Sequence, residues 1–338
     1  MLVVMHSGAT AEQIAAVEEA IHRLGLAAHP LPGPTRTAIG VTGNTEALDS
    51  EQLSGLPGVR ELIRVTRPYK LASREMHPDD TVVTAGDTRI GPGTFTLICG
   101  PCSVEDETTT LRTAEFLASR GVKLFRAGAF KPRSSPYSFQ GLGLEGLRLL
   151  EKVRDRTGLG IVTELMDTEH IEAVEQTADI VQIGARNMQN FSLLKRVAVG
   201  TRPVLLKRGM SATLEELLMA AEYLLAGGNR QVVLCERGVR TFADHTRNTL
   251  DLSLVPPVKE LSHLPILVDP SHGTGRRDYV PPMALASLAA GAHGLLLEVH
   301  PHPEEALSDG AQTLNFDEFD RLLEVLKRLA EALGVAVK

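Results

Sequence analysis

Between positions 94 and 298 the chain repeats one pattern, a short apolar run that ends in a charged or sulfur-bearing side chain. The runs cover 94–99, 122–125, 160–163, 179–183, 203–206, 231–234, 265–268 and 294–297. Strands buried on both faces are continuously apolar, as these are. Their starts fall about 20 to 40 residues apart, which leaves room for a helix in each gap and predicts a TIM (β/α)8 barrel. Helical patterns fill the gaps at 105–119, 143–157, 168–177, 190–197, 213–226 and 282–290. A closing helix over 315–333 carries the apolar stripe Phe316, Phe319, Leu322, Leu323, Leu326 and Leu329. Gly121, Gly158, Gly227 and Gly291 stand where helices should stop. The stretch 237–257 is polar and poorly periodic, so an extended loop over the barrel mouth is expected there.

Residues 1–66 follow a different rhythm. Strand patterns at 2–5, 27–31, 37–41 and 59–65 alternate with helices at 9–24, where Ile14, Val17, Ile21 and Leu24 share a face, and at 45–53. The order βαββαβ predicts a small ferredoxin-like domain. So small a unit buries little core and is expected to dock on something. Residues 67–80, with Pro68 and Pro78, read as a linker, and 81–338 as the barrel domain. Strand patterns at 81–85 and 88–90 flank Gly86-Asp87 as a hairpin that can close the barrel's N-terminal end.

Composition narrows the function. The 338 residues carry a formal charge of -7 and are 43% hydrophobic, without long runs of one sign. Nucleic-acid binding has no electrostatic support. No apolar stretch is long enough to span a bilayer, and the N-terminus lacks the features of a signal peptide, so a cytoplasmic protein is expected. Three cysteines, Cys99, Cys102 and Cys235, argue against a disulfide framework.

Catalytic groups of such barrels sit at the C-terminal strand ends. Here those ends deliver Cys102, Arg126 with Lys131, Glu164, Arg186, Lys207, Arg237, Asp269 with His272, and Glu298. Cys99-Gly-Pro-Cys102 has redox spacing, but the chain has no Trp and too many strands around the motif for a thioredoxin-like context. Cys102, His272, Glu298 and Asp309 instead supply one sulfur, one nitrogen and two oxygens, a set suited to one divalent transition metal of the Mn, Fe, Co or Zn class. His300 and His302 are rival nitrogens whose flanking prolines suggest a solvated loop. The segment Arg126-Ala-Gly-Ala-Phe-Lys131-Pro-Arg133-Ser134-Ser135-Pro-Tyr-Ser-Phe-Gln-Gly packs three cations and several hydroxyls after a buried strand, suited to phosphate and carboxylate. With Arg186, Lys207, Arg208 and Arg237 from other strands, it implies a strongly anionic small substrate.

Taken together, Gly100-Pro-Cys-Ser103, Lys131-Pro-Arg-Ser-Ser135, Ile183-Gly-Ala-Arg186, Leu206-Lys207-Arg-Gly209, Cys235-Glu-Arg-Gly238, Asp269-Pro-Ser-His272 and Glu298-Val-His-Pro301 resemble the 3-deoxy-D-arabino-heptulosonate 7-phosphate (DAHP) synthases. The likeness is to the type I beta group, which carries an N-terminal ferredoxin-like domain, and it extends over essentially the whole chain. It implies a metal-dependent condensation of phosphoenolpyruvate with erythrose 4-phosphate and water, which releases phosphate and opens the shikimate pathway to aromatic amino acids. It implies Cys102, His272, Glu298 and Asp309 as metal ligands. Arg126, Lys131, Arg186, Lys207, Arg237 and the Ala185 backbone would hold phosphoenolpyruvate. Arg133, Ser134 and Ser135 would hold the phosphate of erythrose 4-phosphate, and Asp269 its hydroxyl end.

Lys131, Glu164 and His272 are the candidate catalytic residues. Lys131 is the expected proton donor to the developing alkoxide, its pKa lowered by neighbouring cations. Glu164 or a water on the metal would guide the attacking water. In the related 3-deoxy-D-manno-octulosonate 8-phosphate synthases the phosphate motif reads Lys-Ala-Asn-Arg-Ser-Ser and the N-terminal domain is absent, so both features favour the four-carbon sugar. A second alternative is a non-catalytic amino-acid sensor on a barrel scaffold, which a complete set of cations and metal ligands disfavours. Related N-terminal domains pair across a homotetramer and bind tyrosine or phenylalanine as inhibitors. His29 is the candidate contact here, against a plain assembly role.

Overall fold

The computed structural model describes residues 1–33, 36–43, 51–132, 135 and 137–338. They divide into two compact units, Met1–Asp79 with Leu261–His263, and Asp80–Glu260 with Leu264–Lys338. Among the described residues no helix is long and apolar enough to cross a membrane.

In the first unit β1 (Leu2–Met5), α1 (Ala11–Arg23), β2 (Ala27–Pro32), β3 (Thr37–Thr42), α2 (Glu51–Ser54) and β4 (Val59–Ile63) build an antiparallel sheet in the order β2-β3-β1-β4. That is the ferredoxin-like arrangement expected from the sequence. A capping box starts α1: the Thr10 hydroxyl accepts from the Gln13 amide, and the Gln13 side chain accepts from the Thr10 amide. Val17 and Ile21 of α1 join Val3, Met5, Ile39, Val41 and Leu53 in one core. Val3 and Met5, like Ile39 and Val41, are alternate strand residues, so the sheet buries one face under its helices. Most of the helix expected at 45–53 lies outside the described residues.

In the second unit the hairpin β5 (Val83–Ala85) and β6 (Thr88–Ile90) precedes eight parallel strands. These are β7 (Thr94–Gly100), β8 (Leu124–Arg126), β9 (Gly160–Leu165), β10 (Ile180–Ile183), β11 (Val204–Lys207), β12 (Val232–Glu236), β13 (Ile266–Val268) and β14 (Gly294–Glu298). Each pairs with the next, and β14 returns to β7 to close the barrel. A short β15 (Ala336–Val337) adds to the outer end of β7. Helices α3 (Glu107–Ser119), α4 (Leu144–Thr157), α5 (Ile171–Thr177), α6 (Phe191–Ala198), α7 (Leu214–Ala226), α8 (Val255–Leu261), α9 (Pro270–Thr274), α10 (Val280–Ala289) and α11 (Phe316–Ala332) lie between and after the strands.

Two of these helices lie outside the sequence reading. α8 begins inside the stretch expected to be loop, because Pro256 and Pro257 sit in its first turn, where a missing N–H costs nothing. α9 is a single short turn capped by Asp269. In α11, Phe319, Leu322, Leu323 and Leu326 are buried as the stripe requires, whereas Phe316 and Leu329 are only half-buried.

Strand periodicity explains why this barrel carries a site at one end. Ile98, Leu124, Val162, Ile180, Leu205, Cys235, Leu267 and Leu296 form the inner core, joined by Val83, Ala85 and Ile90 of the hairpin, which closes the N-terminal end. Successive side chains alternate faces, so the residue two positions further points into the same interior. Those residues are Gly100, Arg126, Glu164, Gln182, Lys207, Arg237, Asp269 and Glu298. The interior therefore changes from apolar to charged in a single step along its axis. Gly100 fits the crowded top of its strand because it lacks a side chain: at φ +154° a Cβ would lie 2.1 Å from the Arg126 carbonyl oxygen.

Candidate active site and metal centre

The charged end opens into a cavity of about 310 Å³. Lys131, Ser135, Glu164, Ala185, Arg186, Lys207, Arg237, His272 and Asp309 line it, all of them singled out in the sequence. Ser138, from the same cation- and hydroxyl-rich segment as Lys131, lines it too, and so does Arg247, which was not anticipated. Arg186 sits at the exposed rim on the turn after β10, while Lys131, Lys207 and Arg237 are buried. Arg133 and Ser134 lie outside the described residues.

Beneath the cavity, potential ligand atoms of Cys102, His272, Glu298 and Asp309 all lie within 4.8 Å of one another. Cys102 Sγ is 3.3 Å from Asp309 Oδ2, and His272 Nε2 is 3.3 Å from Glu298 Oε1 and 3.7 Å from Asp309 Oδ2. One thiol, one imidazole and two carboxylates at this spacing fit a borderline transition metal. Burial lowers the pKa of His272, so the ring favours the neutral form a metal needs. Burial works against ionised Asp309, but His272 and Arg247 hold its carboxyl down to about 2. Burial and the nearby Glu298 push the Cys102 thiol up to about 12. Its deprotonation therefore depends on a cation. Asp309 has φ +52°, the one positive φ outside glycine among the described residues, so its backbone is held in the left-handed region where its carboxylate joins the cluster.

Asp269 and Arg126 do not line the cavity. The Asp269 carboxylate is fully buried and takes Lys207 Nζ at 2.5 Å, His272 Nδ1 at 2.7 Å and the His272 amide at 2.9 Å. Both of its oxygens are engaged by Lys207 and His272, so it orients the ligand ring. Arg126 lies behind Glu298, donating to Glu298 Oε1 at 3.0 Å and to the Pro101 carbonyl at 2.9 Å. Its Nε is buried without a partner, a donor free for an anion.

The expected lowering of the Lys131 pKa is not found. Burial and Arg126 push it down, but Cys102, Glu164 and Glu298 outweigh them and leave it raised. Its Nζ donates to the carbonyl and Sγ of Cys102, each at 3.0 Å. Arg208, counted above with the substrate cations, faces away from the cavity, as its position next to inward-pointing Lys207 requires. It donates to Glu236 at 2.9 Å, Asp251 at 3.0 Å and the Ala212 carbonyl at 2.8 Å. His300 is buried beside Glu105, at 3.5 Å, and not on a solvated loop; His302 is exposed. The three cysteines are free and buried, and Cys102 Sγ faces the cluster through Asp309.

Glu236 also binds both ends of the loop after β12, since its Oε1 accepts from the Gly238 amide at 2.6 Å and the Asp251 amide at 3.2 Å. Glu236→Ala leaves the buried Arg208 with Asp251 as its one carboxylate and unbonds the Gly238 and Asp251 amides, and is expected to destabilise the chain by about 1.5–3 kcal/mol. Urea unfolding measures this, and a loss below about 1 kcal/mol contradicts it.

A closed parallel barrel with a cationic mouth over a four-residue S, N, O, O cluster defines a barrel enzyme for small anionic substrates. Comparison with known proteins narrows the class. The chain belongs to the DAHP synthetase I family, whose model matches residues 75–334, and the DAHP synthase ferredoxin-like domain matches residues 1–67. It is 51% identical over 337 residues to the phospho-2-dehydro-3-deoxyheptonate aldolase of Thermotoga maritima, with 100% of each chain covered. A crystal structure of that DAHP synthase superposes with a TM-score of 0.80 at 50% identity, covering 100% of this chain and 99% of the other. The 2-dehydro-3-deoxyphosphooctonate aldolase of Acidithiobacillus ferrooxidans is more distant, 33% identical over 255 residues, or 70% of this chain and 89% of the relative.

Proposed function

We propose that this barrel, like the DAHP synthases with which it belongs, condenses phosphoenolpyruvate with erythrose 4-phosphate and water, releasing phosphate. The observation that carries the reading is the convergence of Lys131, Arg186, Lys207, Arg237 and Arg247 on one cavity that His272 and Asp309 also line. In a chain of charge -7 such focused positive potential suits two phosphorylated substrates, one of them also a carboxylate. Arg126, Lys131, Arg186, Lys207, Arg237 and the Ala185 backbone hold phosphoenolpyruvate in this reading, and Ser135 with Arg133 and Ser134 holds the sugar phosphate. A divalent Mn, Fe, Co or Zn-class ion held by Cys102, His272, Glu298 and Asp309 supplies Lewis acidity toward the aldehyde. Lys131 donates a proton to the alkoxide as the carbon–carbon bond forms. Glu164, fixed by Gln182 Nε2 at 3.0 Å, guides the water.

The four-carbon sugar is favoured over a five-carbon one by Lys131-Pro-Arg-Ser-Ser135 and by the presence of the N-terminal domain. Phosphate release with erythrose 4-phosphate is expected to exceed that with arabinose 5-phosphate, to stop on chelation, and to return with Mn²⁺. Preference for the five-carbon sugar, or full activity in chelator, overturns the reading.

For the N-terminal domain we propose regulation by tyrosine or phenylalanine within a homotetramer. His29 remains the candidate contact, and its Nε2 lies 2.8 Å from the Thr42 hydroxyl, which provides a polar pair across β2 and β3. The free cysteines suit a cytoplasmic location.

A further inference from the structure

Gln312 is 2% exposed and lies on the loop that delivers Asp309. Its Nε2 donates to Glu298 Oε2 at 2.7 Å, and its Oε1 accepts from Arg247 Nη1 at 3.1 Å. A guanidinium only donates, so Arg247 fixes which end of the amide is the carbonyl and turns the NH2 toward Glu298. With Oε2 taken, Glu298 presents Oε1, which also accepts from Arg126 Nη1 at 3.0 Å, to His272 Nε2 at 3.3 Å. Asp309 is arranged the same way. Its Oδ1 takes Arg247 Nη1 at 3.3 Å, while Oδ2 faces Cys102 and His272. Both carboxylates therefore have an outer oxygen tied to one clamp and an inner oxygen facing the cluster.

The clamp has its own anchor. The Arg247 amide donates to the Thr274 carbonyl at 2.9 Å, the Asn248 amide to Gly273 at 3.0 Å, and Asn248 Nδ2 to the His272 carbonyl at 3.0 Å. Arg247 is thus pinned to α9, the segment that carries the ligand histidine.

We propose that Gln312, oriented by Arg247, is a positioning residue that fixes the inner oxygen of Glu298 and so sets the affinity of the site for a divalent cation. This rests on the metal reading above. Hydrogen bonds of this kind, one step out from a metal, typically change affinity by about 10–100-fold when removed. Titration of the full chain with Mn²⁺ alone, followed by calorimetry, tests it. The parent should bind one ion, and Gln312→Leu should bind it about 10–100-fold more weakly with an unchanged circular dichroism spectrum. Arg247→Met keeps the test decisive should the leucine variant misfold, because that arginine side chain is 40% exposed. Removing a nearby positive charge by itself tightens cation binding. A positioning role predicts the opposite, weaker binding in Arg247→Met. Parent-like affinity in Gln312→Leu, or unchanged or tighter binding in Arg247→Met, overturns the clamp alone. A parent chain that binds no ion overturns the metal reading and the clamp with it.

Discussion

Asp269→Ala should leave a protein that binds its metal about 10–100-fold more weakly and has lost most of its turnover. The carboxylate does three things at once. It caps α9 through the His272 amide, it holds Nδ1 of the same ring so that Nε2 faces the cluster, and it is the partner of buried Lys207. Loss of the cap costs about 1 kcal/mol. Leaving Lys207 as an unpaired buried charge costs about 3–5 kcal/mol more. Burial raises the Asp269 pKa, but His272 and Lys207 draw it well below the ordinary carboxylate value. A depressed folded pKa contributes stability that is fully present above the unfolded value and lost as pH falls through the folded one. The melting difference between parent and variant should therefore be full at neutral pH and shrink only in strong acid. Asp269→Asn preserves shape, but it has one acceptor oxygen, so it cannot serve Lys207 and His272 Nδ1 on one side and the His272 amide on the other. It is expected to fold better than the alanine variant and still bind Mn²⁺ poorly. Parent-like metal affinity and turnover in the asparagine variant would falsify the orienting role.

Much of this site follows from one periodicity. A strand period of two, with the barrel rule, places Arg126, Glu164, Lys207, Arg237, Asp269 and Glu298 at one end of one interior, so their convergence is readable without coordinates. The same period applied strictly also separates Lys207 from Arg208, whose cation serves Glu236 and Asp251. What the strands do not encode is the neighbourhood of each group. That Asp269 holds Lys207 and the His272 ring is visible only once those side chains are placed beside it. The Lys131 pKa reads as lowered when only cations adjacent in sequence are counted, and it is raised because Cys102, Glu164 and Glu298 arrive from other strands. Gln312 and Arg247 lie on irregular segments where no period applies, and they meet across 65 residues of chain. Such a pair leaves no local signal.

Lys131→Met should lower kcat by about 10²–10⁴-fold, the range for removing a positioned general acid. The side chain is 7% exposed and lines the cavity, with Nζ beside Cys102 at the floor. Its raised pKa keeps it an ammonium at neutral pH, so a proton is available where charge develops on the aldehyde oxygen. A group with a raised pKa loses that proton only at alkaline pH, and the parent should show no loss of kcat from Lys131 near neutrality. The same charge helps to hold phosphoenolpyruvate, so KM should rise as well, but by less than kcat falls if the main loss is in the transition state. Metal affinity separates this role from a structural one. An ammonium 3.0 Å from the Cys102 sulfur repels a cation placed there, so Lys131→Met should bind Mn²⁺ at least as tightly as the parent while turning over far more slowly. Lys131→Arg keeps the charge, but its guanidinium is a far weaker acid and a poorer proton donor, so it should restore KM more than kcat. Steady-state kinetics with a parallel Mn²⁺ titration distinguishes the outcomes: a methionine variant with kcat within about tenfold of the parent removes Lys131 from the proton transfer.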